Sequence, residues 1–251
     1  MRKIGTILGL SLRNMVSSHS IAFFDVDHTL MPCNSGYYTT LRLVRRGYMK
    51  KRRLIQAVGY SLISIFHDPD VQKVYKNAIA DLVGLSLEEL FKVGRETYDR
   101  DLKHLIYSEA INQIEHHRNE GHKIILLTSA PYMTMKILMD ELKVDDVYCM
   151  GPEIENGILS NRLCLPLCYG TNKVHYAIKA AKKHQVDLKD CYFYTDHWRD
   201  VALLYQIGHP RVVNPKRKLE KIALEKKWPI LRWKKMANDA GTGPSTPLRN
   251  R

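Results

Sequence analysis

Two aspartates separated by one residue, Asp25 and Asp27, follow the short apolar run Ile21–Phe24. Such a run, without alternating polar positions, is typical of a buried parallel strand. Side chains two residues apart in a strand lie on the same side, so both carboxylates can project together from its end. Adjacent carboxylates repel each other at neutral pH unless a proton or a cation intervenes. The pair therefore favours a magnesium site in which one carboxylate attacks and the other transfers protons.

Hydroxyl groups and a lysine lie at the ends of two further predicted elements. Thr128 and Ser129 come directly after a predicted strand at 123–127, and Lys173 lies near the start of a predicted helix at 172–184. A hydroxyl group and adjacent backbone N–H groups at such a position can hold a phosphoryl oxygen.

A second pair of carboxylates, Asp196 and Asp200, follows a predicted strand at 191–194. In an open parallel sheet, ligands bind in the crevice at the carboxyl ends of the strands. We therefore expect the four polar clusters to meet there. Carboxylates with oxygen-only neighbours favour Mg²⁺ over softer metals.

The elements that position these clusters alternate between strands and helices, which predicts an α/β fold with a doubly wound parallel sheet. Further helices are predicted at 132–143 and 200–206, a strand at 211–213, and short strands within 145–164. A helical pattern extends from Tyr37 to about His104, with breaks expected at Gly47, at Gly59, at 68–70 and at 84–86. Ser86 with Glu89 forms the pattern of a capping box, and Ser108 is expected to cap the next helix.

The same pattern divides the chain into four parts. Residues 20–32 and 106–236 are predicted to form the α/β catalytic core, and residues 33–105 an all-helical cap inserted after the first strand. Residues 1–19 are interpreted as an N-terminal arm rather than a cleaved leader, because no clear small-x-small cleavage site follows the apolar stretch. The Gly/Pro/Ser/Thr-rich tail, 237–251, is predicted to be disordered.

The ordered set D-x-D-x-T at 25–29, the hydroxyl group of Thr128, Lys173 and D-x-x-x-D at 196–200 resembles the haloacid dehalogenase-like hydrolase superfamily. The long helical insertion after the first motif resembles its phosphoserine phosphatase-like subgroup (subfamily IB). The similarity extends over roughly residues 20–233. Each motif alone is weak, but four in order at plausible strand ends form a strong signal.

This resemblance implies an Mg²⁺-dependent phosphatase. Asp25 would be the nucleophile that forms an aspartyl-phosphate, and Asp27 would be the general acid and base. Thr128 and Ser129 would orient the phosphoryl group, and Lys173 would offset its charge. The cap would close over the substrate and supply specificity.

The resemblance also implies how the metal is held. Asp25, Asp196 and the backbone carbonyl of Asp27 would bind Mg²⁺, and Asp200 would support them through water or Lys173. Arg199 stands where the subgroup commonly has asparagine. It is predicted to bind the substrate phosphate, with pairing to Asp200 as the alternative.

The chain has 251 residues, 45% of them hydrophobic and 26% charged, with a formal net charge of +13. These values exclude wholesale disorder and collagen-like folds, and five scattered cysteines fit free thiols in a reducing compartment. The basic excess favours a phosphate-bearing partner. Nucleic acid is not expected, because no recognised binding module accompanies the basic segment 216–235.

Seven basic residues crowd the segment 42–53 ahead of a mostly apolar stretch at 54–66. We interpret them as the solvated face of a cap helix. The alternative is an amphipathic platform on anionic lipid, which would make a cytoplasmic protein peripheral to the membrane and bring a lipid phosphate to the site. The candidate substrates are thus a small phosphorylated metabolite or a lipid headgroup.

Two other functions remain open at this point. One is a non-catalytic protein on a phosphatase-like scaffold that binds an anionic membrane or nucleic acid, which Arg199 and the net charge would suit. The other is phosphotransfer to an acceptor other than water, which needs the same residues. The sequence does not predict the oligomeric state.

Overall fold

The computed structural model describes residues 20–63 and 70–237. The predicted arm at 1–19, the predicted tail beyond Ala237 and residues 68 and 69 of the predicted turn lie outside them. Within these two ranges, no helix is long and apolar enough to cross a membrane.

A six-stranded parallel sheet has the strand order β3-β2-β1-β6-β7-β8, and two further strands pair as an antiparallel hairpin. The strands are β1 (Ile21–Phe24), β2 (Lys123–Pro131), β3 (Asp146–Met150), β4 (Pro152–Glu155), β5 (Ile158–Leu163), β6 (Tyr192–Thr195), β7 (His209–Val213) and β8 (Ile230–Leu231). The predicted doubly wound α/β class is confirmed.

The α-helices lie on both faces of this sheet and in the segment that follows β1. They are α1 (Ser35–Arg45), α2 (Arg52–Ile63), α3 (Val71–Ile79), α4 (Leu87–Thr97), α5 (Ser108–Asn119), α6 (Tyr132–Leu142), α7 (Lys173–His184), α8 (Val201–Leu204) and α9 (Arg217–Glu225). The first four lie within the predicted cap, whose boundaries remain a prediction.

Strand β1 lies at the centre of the sheet, between β2 and β6, and all four of its side chains are fully buried. Ala22 and Phe24 pack into the core that includes residues of α5 and α6, whereas Ile21 and Phe23 pack into the opposite core with α7, α8 and α9. Burial on both faces explains why the strand is continuously apolar.

Two contacts hold the inserted helices against α6. The hydroxyl groups of Thr39 on α1 and Thr134 on α6 lie 2.7 Å apart and are buried. At Gly94 on α4, a Cβ atom would lie 2.3 Å from the backbone oxygen of Met133. Only glycine permits such a close backbone approach.

The hairpin β4–β5 turns at Asn156 and Gly157, as predicted, and both residues have positive φ angles of 50° and 78°. Such angles are typical of a type I′ turn. Ser86 pairs with Ile158, so the hairpin contacts the start of α4.

Some predicted element boundaries are wrong. Helix α2 continues through Gly59, because a single glycine weakens a helix without ending it. Helix α5 begins at Ser108 with Tyr107 at the N-cap, and the Ser108 hydroxyl donates to the Lys235 carbonyl instead of capping. Strand β2 extends four residues past Leu127, since its pairing with β3 resumes at Pro131 after a register shift.

Two of the seven basic residues at 42–53, Arg42 and Arg53, are not solvated as predicted, whereas Arg46 is paired but exposed. Arg42 donates to both oxygens of Asp101, at 2.6 and 2.8 Å, and is only 8% exposed. Arg46 pairs with Glu96 at 2.8 Å, and Arg53 pairs with Asp81 at 2.9 Å. These acids are distant in sequence, so three arginines of the basic run also link separate parts of the inserted segment.

Candidate active site

The carboxyl end of β1 places Asp25 in a nearly closed position. Its backbone N–H continues the ladder by donating to the carbonyl of Tyr194 on β6, and its side chain is 9% exposed. Oδ1 accepts from the Val26 N–H at 2.8 Å and lies 3.1 Å from Nζ of Lys173. Burial raises the pKa of Asp25, and the nearby ammonium group opposes that shift.

Lys173 is the first residue of α7, and its side chain is 3% exposed. Its Nζ donates to Oδ2 of Asp200 at 2.7 Å. Burial alone would lower the pKa of Lys173, but the carboxylates of Asp200 and Asp25 outweigh it and raise the pKa. The lysine is therefore a cation between two buried anions.

Asp27 lies at the wall of a cavity, and its Oδ1 accepts from the backbone N–H of Ser35 at 2.9 Å. Burial raises the pKa of Asp27 to about 6, although the Ser35 hydrogen bond opposes the shift. A carboxyl group with such a pKa can both donate and accept a proton near neutral pH.

Asp196, one residue past β6, is 4% exposed. Its backbone N–H donates to Oγ1 of Thr29 at 3.0 Å, and that hydroxyl group is 3.4 Å from Oδ1 of Asp196. Burial, and then the charges of Asp25 and Asp200, raise the pKa of Asp196 well above its usual value. Asp25 and Asp196 thus repel each other across the site.

Thr128 and Ser129 lie in the last part of β2, next to β1. Phe24 pairs with Leu126, so Thr128 is two residues further along the neighbouring strand. The Thr128 side chain is buried and accepts from the Ala130 N–H at 3.2 Å, while Ser129 lines the cavity.

Arg199 lies against two aromatic rings, with its guanidinium carbon 5.0 Å from the ring centre of Trp198 and 5.9 Å from that of Tyr169. Its backbone N–H also donates to Nδ1 of His197. Asp200 accepts instead from Lys173 and from Thr195. Arg199 is not among the described residues that line the cavity, so its predicted contact with substrate phosphate remains a prediction.

Three residues that support this site were not assigned a role from the sequence. Thr29 holds Asp196, Ser35 holds Asp27, and Thr195 donates to Oδ2 of Asp200 at 2.7 Å. The threonine of the D-x-D-x-T run and the threonine directly before Asp196 were the available signals. Nothing local marked Ser35, whose contact depends on how the chain turns into α1.

The oxygen atoms present fit a hard divalent cation. Among the described residues, no three His, Cys, Asp or Glu side chains form a group that could hold a metal ion. The carboxylates of Asp25 and Asp196 and the backbone carbonyl of Asp27 nevertheless offer oxygen donors of the kind Mg²⁺ prefers, and Mg²⁺ commonly retains water ligands. A cation there would relieve the repulsion that raises the pKa of Asp196.

A cavity of about 600 Å³ opens from Asp27 and Ser129. Its other walls come mainly from α1, α2 and α3, including Tyr37, Gly59 and Val74, and also include Pro131 of β2 and Met150 of β3. Its size lies within the range of small-molecule sites.

Comparison with known proteins finds a family match. The family description "haloacid dehalogenase-like hydrolase" matches residues 22–205. The phosphoserine phosphatase SerB1 of Mycobacterium tuberculosis is 28% identical over 213 residues, which cover 83% of this chain and 69% of that protein. The histidinol-phosphatase of Neisseria meningitidis is 23% identical over 223 residues, covering 86% of this chain and 99% of that protein.

Solved structures share the fold. A Bordetella pertussis protein of unknown function aligns with a TM-score of 0.76 at 22% identity, covering 85% of this chain and 98% of that one. A substrate-bound phosphoserine phosphatase aligns with a TM-score of 0.62 at 14% identity, covering 88% and 96%.

The chain belongs to the haloacid dehalogenase-like hydrolase family, because the match spans most of its length. The predicted resemblance to the phosphoserine phosphatase-like subgroup and the predicted enzyme class, a phosphatase, are both confirmed. The cytoplasmic location and the peripheral membrane contact remain predictions.

Proposed function

We propose that this chain hydrolyses a phosphomonoester in two steps, through a phosphoryl group carried on Asp25, with Mg²⁺ as cofactor. The observation that carries the proposal is the buried series Asp25–Lys173–Asp200, with distances of 3.1 and 2.7 Å, beside Asp27 at the cavity. If Lys173 were only a surface residue or only the start of a helix, it would have no reason to contact two buried carboxylates.

In the first step, a carboxylate oxygen of Asp25 attacks phosphorus and the bond from phosphorus to the ester oxygen breaks. The protonated Asp27 donates its proton to that leaving oxygen. In the second step, the Asp27 carboxylate takes a proton from water, the water oxygen attacks phosphorus, and the bond to Asp25 breaks. Inorganic phosphate leaves and both aspartates return to their starting states.

The remaining site residues stabilise or orient the charged groups of the reaction. Lys173 lowers the electrostatic cost of bringing an anionic ester to Asp25, and Thr128 and Ser129 supply donors for the phosphoryl oxygens. Thr29 fixes Asp196 and Thr195 fixes Asp200. Bound at Asp25, Asp196 and the Asp27 carbonyl, Mg²⁺ would act as a Lewis acid and screen the repulsion between nucleophile and substrate.

The proposal is tested with 4-nitrophenyl phosphate, with and without Mg²⁺, in the wild type and in Asp25→Asn. We expect metal-dependent phosphate release by the wild type and a loss on the order of 10³-fold or more in the variant, as for other catalytic nucleophiles. Circular dichroism of both proteins controls for folding.

Asp27→Asn separates the two steps. Nitrophenolate leaves without a proton, so the first step should survive while breakdown of the intermediate slows. A burst of nitrophenolate and a phosphoryl group on the Asp25 peptide, seen by mass spectrometry after acid quenching, are the expected results. Undiminished turnover in Asp25→Asn would overturn the proposal.

A further inference from the structure

The cavity that begins at Asp27 and Ser129 is larger than a phosphoryl group needs. Its volume is about 600 Å³, and its walls include Gly59 on α2 and Val74 and Ala78 on α3. Since the reacting phosphorus must lie beside Asp25, the space between the inserted helices is left for the leaving group.

Charge is scarce on these walls. Asp27 and Arg53 are the two charged side chains among the described residues that line the cavity. Most of the other lining residues are apolar or aromatic, including Tyr37, Tyr75 and Met150.

The positive charge of Arg53 is already balanced. Its Nε and one terminal nitrogen donate to the two oxygens of Asp81, at 3.0 and 2.9 Å, and its other terminal nitrogen donates to Oε1 of Gln56 at 3.2 Å. The Arg53 hydrogen bond lowers the pKa of Asp81 to about 2, so the aspartate is ionised at neutral pH. The pair presents no net charge to a ligand. Among the described walls, a carboxylate on the leaving group would therefore lose hydration without gaining an unpaired cation, and burying an uncompensated charge is costly.

We infer that the preferred substrate is a phosphomonoester whose leaving group is uncharged, mainly apolar and longer than a three-carbon chain. The inference rests on the proposed function and adds the chemical class of the leaving group. It distinguishes this site from one built for a charged amino-acid ester such as phosphoserine.

The first test compares kcat/KM for n-alkyl phosphates of two to ten carbons with that for phosphoserine. We expect a rise of roughly two- to fourfold per methylene until the cavity is filled. We also expect n-propyl phosphate to be a better substrate than phosphoserine. It has the same three-carbon chain but lacks the carboxylate and ammonium groups. Preference for phosphoserine over n-propyl phosphate, or no dependence on chain length, would overturn the inference.

Gly59→Leu tests whether the cavity holds the leaving group. No described atom lies within 4 Å of the position of a Cβ at residue 59, so the new side chain would occupy the cavity. We expect kcat/KM for octyl phosphate to fall at least tenfold more than that for ethyl phosphate. Ile55→Phe is the matched control, because Ile55 lies on the same helix, is 75% exposed and does not line the cavity.

Asp81→Asn tests the charge argument. The variant leaves the Arg53 cation unbalanced, so the ratio of activity on the phosphate ester of 3-hydroxypropanoate, which adds only a carboxylate, to that on n-propyl phosphate should rise by about tenfold, the effect of one charge-assisted hydrogen bond. An unchanged ratio in a folded protein would contradict the inference. If Asp81→Asn fails to fold, the chain-length series and Gly59→Leu still test the inference about the leaving group.

These outcomes separate the two proposals. Phosphate release that depends on Asp25 but favours phosphoserine would leave the proposed function standing and remove the inference. No release from any ester, including 4-nitrophenyl phosphate, would remove both.

Discussion

A single ammonium group stands between two buried carboxylates in this protein. Lys173 is 3% exposed and contacts Asp25 and Asp200, which are also almost fully closed to water. Burying a charge is tolerated when partners compensate it, and removing one partner leaves the others unpaired. The residues that carry out the proposed reaction are therefore also coupled to stability.

Lys173→Met tests that coupling. We expect kcat to fall by about 10²–10³-fold, because a fixed cation beside the reacting charge is lost. The free energy of unfolding should fall by about 3–5 kcal/mol at neutral pH, since two buried carboxylates lose their partner. Urea unfolding and phosphate release measure the two effects.

The double variant Lys173→Met/Asp200→Asn is the control. It removes one of the two carboxylates that lost their cation, so part of the lost free energy of unfolding should return while the activity should not. A single variant as stable as the wild type would show that Lys173 does not balance these carboxylates.

At the scale of secondary-structure elements, helices α4 and α5 differ in how their first turns are capped. Helix α4 begins with a complete capping box, in which the Ser86 hydroxyl accepts from the Glu89 N–H and the Glu89 carboxylate accepts from the Ser86 N–H. Helix α5 begins at Ser108 without a side-chain cap. Two serines at helix starts thus have different roles, which allows a direct comparison.

Ser86→Ala should lower the free energy of unfolding by about 1 kcal/mol, because a backbone N–H at the start of α4 loses its acceptor. Ser108→Ala should change it by less than about 0.5 kcal/mol, as for an ordinary surface substitution. Thermal or urea unfolding of both variants checks this. Equal losses in the two would mean that the capping box does not stabilise α4 in solution.

Local patterns predicted the strands and their terminal residues, because apolar runs such as Ile21–Phe24 determine burial and strand ends determine where ligands meet. Contacts between distant residues were not predictable in this way. Arg53 and Asp81 are 28 residues apart, and Arg42 and Asp101 are 59 apart. A run of basic residues therefore looked solvated although two of its arginines have acidic partners far along the chain. The cavity could not be predicted for the same reason.

For the molecule as a whole, a buried histidine couples stability to pH. His117 on α5 is 1% exposed, with one ring nitrogen 2.8 Å from the Tyr194 hydroxyl and the other 2.9 Å from Nδ1 of His122. Burial, with the neighbouring histidines and Arg211 adding to it, lowers the pKa of His117 to about 3. The folded state therefore keeps this ring neutral where the unfolded chain would protonate it.

The sign of the resulting pH dependence follows from the lowered pKa. Above pH 6.5, His117 makes its full contribution to the free energy of unfolding. This contribution decreases as the pH falls toward 3, because between these two pH values the unfolded chain protonates His117 and the folded chain does not. The slope for one proton is at most about 1.4 kcal/mol per pH unit. We expect the difference in unfolding free energy between wild type and His117→Gln to shrink from pH 7.5 to pH 4.5.

Taking the difference between the two proteins cancels the opposite contribution of Asp27, whose pKa of about 6 makes the folded state less favourable as the pH rises. Urea unfolding at several pH values provides the data. A difference that is constant with pH would contradict the assignment of a neutral, buried His117.

The contacts that hold α1 and α4 against α6 have a consequence for how this enzyme could acquire new substrates. Helix α6 follows directly from the strand that carries Thr128 and Ser129, and the Thr39–Thr134 contact ties α1 to it. One wall of the cavity is thus fixed to the backbone that, in the proposed function, positions the phosphoryl group. If the leaving group lies in the cavity as inferred, divergence toward longer or shorter esters is expected at α2 and α3, where substitutions would leave the reacting groups in place.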